Sequence, residues 1–229
     1  MSHQTFKSVF ISDLHIGSDI TNYNALFKFL KEIKTQKLYL VGDIIYRNCA
    51  NNDSRLIEFL DILESREFEV IYILGNHEIS AEDGLPEPIK DREFLKRVIY
   101  KAKCGDILVE HGNSYDKKDK LLQFLKSIAR KTQIRKEHKY QTIKKAIKRR
   151  LDKYLKIIAK NTLNGSFSHY MILRAKKNRC KAVICGHFHK PYTTKKYDIK
   201  YFNCGDWIDS CTYVAQSLDG KLELKRYKC

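Results

Sequence analysis

Apolar and polar positions along the chain alternate between two rhythms. Val9–Ser12, Leu38–Val41, Val70–Leu74 and Ile107–Val109 are short apolar runs that read as buried strands. Ala25–Ile33 and Leu56–Leu63, lying between them, repeat their apolar positions at helical spacing. Strand, helix, strand, helix predicts an α/β core in which helices cover the faces of a sheet. Near the C-terminal end, Ala182–Cys185, Lys200–Asn203, Thr212–Gln216 and Leu222–Arg226 lie close together, with Gly205 and Gly220 between them. That spacing predicts antiparallel hairpins.

A different pattern interrupts these two blocks. Leu121, Leu125 and Ile128, then Ile143, Ile147, Leu151, Tyr154 and Ile158, form stripes of helical period with Lys and Arg on the opposite side. The pattern predicts a core of residues 1–116 and 179–229, with a helical insertion at 117–178. Charge sharpens this division. The 229 residues carry a net +17, and the stretch from Lys117 to Lys160 holds 17 Lys or Arg against three acids. A local basic block implies an anionic partner: a membrane surface, a nucleic acid or a phosphorylated substrate. Only Phe124, Tyr140 and Tyr154 interleave with these cations, which disfavours a stacking platform for single strands. The seven cysteines form no CxxC pair, which speaks against a disulfide framework or a zinc ribbon. No apolar run has the length of a signal peptide or a membrane span, so a reducing cytoplasm is the expected compartment.

The candidate chemistry sits where the apolar runs stop. Ser12-Asp13-Leu14-His15 follows the first run and Gly42-Asp43 the second. Gly75-Asn76-His77-Glu78 follows the third, His111-Gly112 the fourth, and Gly186-His187-Phe188-His189 ends the run at Cys185. Polar groups at the carboxyl ends of neighbouring strands converge on one crevice. Mixed carboxylate and imidazole donors suit Mn, Fe or Zn, whereas oxygen donors alone suit Mg or Ca. Gly42, Gly75 and Gly186 are expected to allow sharp turns. The spacing of two in Asp13–His15 and His187–His189 is expected to aim each pair to one side of an extended segment. Any one fragment alone is an ordinary turn or structural histidine; five in this order are not.

The order DxH, GD, GNH, H, GHxH resembles the calcineurin-like metallophosphoesterases. The resemblance implies two β-sheets packed face to face with helices outside, and two divalent cations, with Mn2+ expected and Fe or Zn as alternatives. It implies Asp13, His15 and His189 on one cation, Asn76, His111 and His187 on the other, and Asp43 bridging both. His77 is implied as the residue that stabilises or protonates the leaving oxygen. A finer likeness, carried by ISDLHIGS, LYLVGDII and AVICGHFHKP…YFNCGDWIDS, is to the UDP-2,3-diacylglucosamine pyrophosphatase group of bacterial lipid A synthesis. It implies hydrolysis of that nucleotide-linked acylated sugar to UMP and an acylated sugar 1-phosphate. Generic members of the superfamily need not carry the Asn203–Ser210 stretch. It further implies docking of residues 117–160 on the inner membrane leaflet, and substrate contacts from Asn76, His77 and His187. Asp116 and Ser166 or Ser168 are further substrate candidates by their place near the insertion. Departures from the family pattern at Glu78, Asn113 and Phe188, and His77 where some lipid A members have Arg, lie where a phosphate or sugar can be read. Two other readings remain open: a nuclease or nucleotide phosphodiesterase using the same cations, and a non-catalytic interaction module.

Overall fold

A computed structural model describes residues 5–80, 85–103, 105–118 and 165–228, with side chains undescribed at 116–118. The chain divides into two compact units, Met1–Asn113 with Met171–Cys229, and Ser114–Tyr170. The first unit carries two sheets. One is six-stranded, in the order β11-β10-β1-β2-β3-β4; the other is five-stranded, in the order β5-β6-β7-β9-β8. The strands of the first are β1 (Thr5–Ile11), β2 (Lys34–Val41), β3 (Glu69–Ile73), β4 (Phe94–Leu95), β10 (Thr212–Ser217) and β11 (Leu222–Arg226). Those of the second are β5 (Val98–Tyr100), β6 (Ile107–Val109), β7 (Ala182–Cys185), β8 (Tyr192–Lys196) and β9 (Ile199–Asn203).

Strand periodicity explains the layers. In β1, Val9 and Ile11 join a core with the helices α1 (Tyr23–Glu32) and α2 (Ser54–Glu64), while Phe10 between them joins a second core. In β2, Leu38 and Leu40 face the helices, whereas Tyr39 and Val41 face the other way. The second core lies between the sheets: Phe10, Tyr39, Val41 and Ile73 of one meet Ile107, Val109, Ala182, Ile184 and Phe202 of the other. Both faces of the first sheet are thus covered, which is why its strands read as continuous apolar runs. Each fully buried large apolar side chain adds about 1.5–3 kcal/mol. Asn22 and Asp53 cap the two helices, accepting from the backbone N–H groups of Ala25 and Arg55 at 3.1 and 2.9 Å.

The eight strands read from the apolar runs are all present. The expected run of hairpins needs correction. β10 and β11 do pair antiparallel, but β7 pairs with β9 in parallel. The hairpin partner of β9 is β8, whose YTTKK sequence is mostly exposed and carries no apolar signal.

In the second unit, Tyr115 packs edge-on against Phe167 and Tyr170, and the Tyr170 hydroxyl donates to Ser114 Oγ at 3.4 Å. Most of the basic stretch 117–160 lies outside the described residues. No helix among the described residues is long and apolar enough to cross a membrane.

Candidate metal centre

The central strands of both sheets end in the same place. β1 stops at Ile11, β2 at Val41 and β7 at Cys185, and the chemistry-bearing residues follow in the loops. Those loops are not extended. Asp13, His15, Asp43, His187 and His189 all take left-handed φ values, at 54, 51, 50, 72 and 54°. The expectation that alternation along a strand aims Asp13 with His15, and His187 with His189, is therefore corrected: left-handed backbone at each residue does the aiming. Non-glycine residues in this region store about 1–3 kcal/mol each and persist only where the surroundings hold them. Here the holding bonds are visible. Asp13 N–H donates to Gly42 O at 3.1 Å, His15 N–H to Asp43 O at 3.0 Å, and Trp207 N–H to Asp13 O at 3.3 Å. His187 N–H donates to the Asp13 carboxylate at 3.0 Å, linking the two sheets.

The glycines also differ from expectation. Of Gly42, Gly75 and Gly186, only Gly42 has a positive φ, 78°. Gly75 and Gly186 are needed for close approach: a Cβ at Gly75 would strike Asp43, and one at Gly186 would strike the Asp13 carboxylate and Ser12.

Six of the seven expected ligands gather through one another. Asp13, His15 and His189 form one cluster, and Asp43, His111 and His187 another, each with donor atoms within 4.8 Å of one another. His189 Nε2 lies 3.3 Å from Asp13 Oδ1 and 3.3 Å from His15 Nε2. Asp43 Oδ2 lies 3.3 Å from His111 Nε2 and 4.0 Å from His77 Nε2. A third grouping, His15, Asp43 and His77, links the first two. Asn76 begins the short helix α3 (Asn76–Ile79), beside His77, whose backbone N–H donates to Asp43 Oδ1 at 2.8 Å.

Electrostatics fit a cation site. Burial pushes Asp13 up, and the positive imidazoles offset only part of that. Burial would also raise Asp43, yet the hydrogen bond and charge of His111 hold its carboxyl below the usual carboxylate range. Burial opposes protonation of His111, but Asp43 and Asp13 hold that imidazole up at about 9. His15 is pushed down to about 4, by burial first and then by His77. His77 is also lowered, again chiefly by burial. Three buried polar atoms here, Asp13 Oδ1, Asn76 Oδ1 and His77 Nδ1, have no hydrogen-bond partner, and His111 Nε2 meets only the Asp43 carboxylate at 3.3 Å. Buried donors and acceptors are normally paired. Electron-pair donors stranded together on mixed carboxylate, amide and imidazole groups are the donor set a divalent cation takes. The residues present therefore fit the metal that the pattern implies.

Two residues outside the expected ligand set prove central. Glu78 was expected where substrate is read, but its carboxylate is buried and turned inward. It accepts from the backbone N–H groups of Gly75, Asp43, Ile44 and Ile45 at 2.8, 3.0, 2.6 and 2.9 Å. Its place inside the Gly-Asn-His-Glu fragment was the available signal. Asp206 is the other, and its acid within Asn203–Ser210 carried no ligand spacing of its own. Among the remaining candidates, Ser166 is exposed, Ser168 donates to Gly165 O at 3.1 Å within its own helix, and the Asp116 side chain lies outside the described set.

A protein-family model for the calcineurin-like phosphoesterases matches residues 6–191. The chain belongs to that family. Among solved structures, vacuolar protein sorting 29 from Cryptosporidium parvum aligns with a TM-score of 0.51 at 14% identity, covering 97% of each chain. A novel archaeal phosphodiesterase aligns at 0.49 and 11% identity, over 95% of this chain and 98% of its own. A conserved protein of Streptococcus pneumoniae described as a phosphoesterase aligns at 0.43 and 17% identity, over 97% and 90%. A search of curated protein sequences gives no match. At these identities the structural likeness speaks for the fold alone. The family assignment supports a metal-dependent phosphoesterase; the fold does not add to it, since the first of these neighbours is named for sorting.

Proposed function

We propose that this chain is a binuclear phosphohydrolase whose substrate is UDP-2,3-diacylglucosamine. Asp13, His15 and His189 would hold one divalent cation, Asn76, His111 and His187 the other, with Asp43 between them and Mn2+ the expected ion. The observation that carries the hydrolase reading is the gathering of Asp13, His15 and His189, and of Asp43, His111 and His187, with donor atoms within 4.8 Å of one another in each group, beside buried and unpaired Asp13 Oδ1 and Asn76 Oδ1. When bound, the cations supply Lewis-acid charge for phosphoryl transfer and a nucleophile at neutral pH.

The chain's own groups do the rest. Asp43 keeps both clusters in register, because its backbone oxygen accepts from His15 while its carboxylate faces His111 and His77. Burial disfavours the charged form of His77. A phosphate arriving beside it adds negative charge, which favours protonation and equips the ring to give a proton to the leaving oxygen. The narrow packing of His15, His77 and His189 rings, with centroids 4.6 and 5.0 Å apart from His15, keeps them from swinging away. Attack at the phosphorus next to uridine would release UMP and the acylated sugar 1-phosphate.

The substrate reading rests on the Asn203–Ser210 likeness and on the basic stretch 117–160. That stretch would dock the enzyme on anionic lipid, at about 1 kcal/mol per cation near the surface, with its apolar stripes in the interface. Three experiments test the proposal. Asp43→Ala should abolish turnover while leaving the fold intact, and near-normal activity would refute it. Comparing UDP-2,3-diacylglucosamine with bis-p-nitrophenyl phosphate and RNA separates the lipid reading from a nuclease. Vesicles of anionic lipid should carry the protein upward in flotation, and should cease to do so once 117–160 is deleted.

A further inference from the structure

The loop joining β9 to β10 contains none of the expected ligands, yet it is bonded to two of the strand ends that carry them. Asn203 Nδ2 donates to Gly186 O at 2.7 Å, and its Oδ1 accepts from Gly205 N–H at 2.9 Å. Ser12 Oγ donates to Gly205 O at 3.0 Å, next to Asp13. Trp207 N–H reaches Asp13 O at 3.3 Å, and Trp207 O accepts from Asn22 N–H at 2.8 Å. The loop therefore ties the end of β1 to the end of β7.

At its centre is Asp206, buried to 4% exposure. Its Oδ1 accepts three backbone N–H groups, from Ile208, Asp209 and Ser210, at 3.2, 3.0 and 2.9 Å. Its own N–H donates to Ser210 Oγ at 2.9 Å. This carboxylate has one oxygen left over. That oxygen, Oδ2, lies 3.5 Å from His189 Nδ1. The other ring nitrogen, Nε2, faces Asp13 and His15 inside the cleft.

We propose that Asp206 is a positioning residue that fixes the His189 ring with its proton on Nδ1 and its Nε2 electron pair aimed at the Asp13–His15–His189 cluster. A carboxylate behind an imidazole sets the tautomer, holds the ring plane and raises ligand basicity. The His111 ring is arranged differently, with Nδ1 2.9 Å from the Val41 carbonyl. The two halves of the cleft would then be unequal, the one containing His189 having the more strongly polarised imidazole. This inference rests on the two-cation reading above.

The discriminating variant is Asp206→Asn. It can keep Oδ1 and so keep the three backbone bonds, but its NH2 would face Nδ1 and donate to it. The proton would then have to sit on Nε2, where the electron pair is needed; the same swap behind a catalytic histidine is known to trap the wrong tautomer. The metal-free variant should melt close to the wild-type temperature. Titration with Mn2+ alone should give two sites in the wild type and, in the variant, a loss of about 10–100-fold in affinity at one site only. Nitrogen-15 NMR of the neutral ring should move the His189 proton from Nδ1 to Nε2. Asp209→Asn, an exposed neighbour in the same loop, should change none of these. Unchanged affinity at both sites, an unmoved His189 proton, or equal weakening of both sites with a lowered melting temperature would each overturn the role of Asp206. A wild type that binds no more than one Mn2+ would instead remove the two-cation reading, and the inference with it.

Discussion

Replacing Glu78 by Gln tests how the cleft is held together. The side chain is 7% exposed, and its two oxygens accept four backbone N–H groups, Ile44 and Ile45 on Oε1, Asp43 and Gly75 on Oε2. Burial holds its carboxyl above the ordinary value, and the backbone donors offset only part of that. Because all four of these neighbours are donors, the ionised carboxylate is the form that fits. Gln has nearly the same shape but offers one acceptor oxygen. Its NH2 would face two N–H groups with nothing to give them. At about 1–3 kcal/mol per stranded buried donor, the cost is about 2–6 kcal/mol. That is a large share of the roughly 5–15 kcal/mol that holds a domain together. Urea unfolding of the metal-free protein reads it directly. With a slope of about 2 kcal/mol/M, the midpoint should fall by about 1–3 M at constant slope. Mn2+ affinity should fall as well, since Asp43 hangs from one of these bonds. An unchanged midpoint would refute the reasoning, because the four amides would then have to be satisfied without the carboxylate.

Further outcomes follow from the same geometry. Gly186→Ala drives a methyl into the Asp13 carboxylate and Ser12; overpacking of this kind costs about 1–3 kcal/mol, and Mn2+ binding should weaken by calorimetry, with unchanged affinity contradicting the close approach. In the metal-free chain the His111 imidazolium persists up to about pH 9, and a cation can bind Nε2 only after that proton leaves. Mn2+ affinity should therefore rise as pH climbs from 7 towards 9, with proton release detectable as a dependence of binding heat on buffer; a pH-independent affinity would contradict the raised His111. Stripping divalent cations with a chelator should lower the melting temperature, and Mn2+ at a hundred times its Kd should restore about 2.7 kcal/mol of stability per site.

Much of this architecture was legible because burial leaves a mark on sequence. β1, β2 and β7 are covered on both faces, so VFI, LYLV and AVIC stand out as apolar runs, and the polar residues after them mark the cleft. The weaker strands were silent for a physical reason. β4 has two residues and β8 is largely exposed, so neither needs a run of apolar side chains. Parallel pairing of β7 with β9 is a long-range choice that turn glycines do not reveal. The ligand residues could be listed from their spacing, but the means of aiming them could not. Left-handed φ at Asp13, His15, Asp43, His187 and His189 runs against local preference and is enforced by contacts from distant segments. Glu78 was hidden for the same reason, as it accepts backbone N–H groups of Asp43, Ile44 and Ile45 that only the fold brings to it, and Asp206 because only the fold sets its Oδ2 beside His189.

Whether groups from Asp13 to His189 share a pair of divalent cations across Asp43 is read from crystals soaked in Mn2+ and measured at the manganese absorption edge. Two anomalous peaks about 3.5–4 Å apart are expected, one touching Asp13, His15 and His189, the other Asn76, His111 and His187, with Asp43 bonded to both. A cleft with no anomalous peak, or with a single peak that Asp43 does not touch, would contradict that sharing.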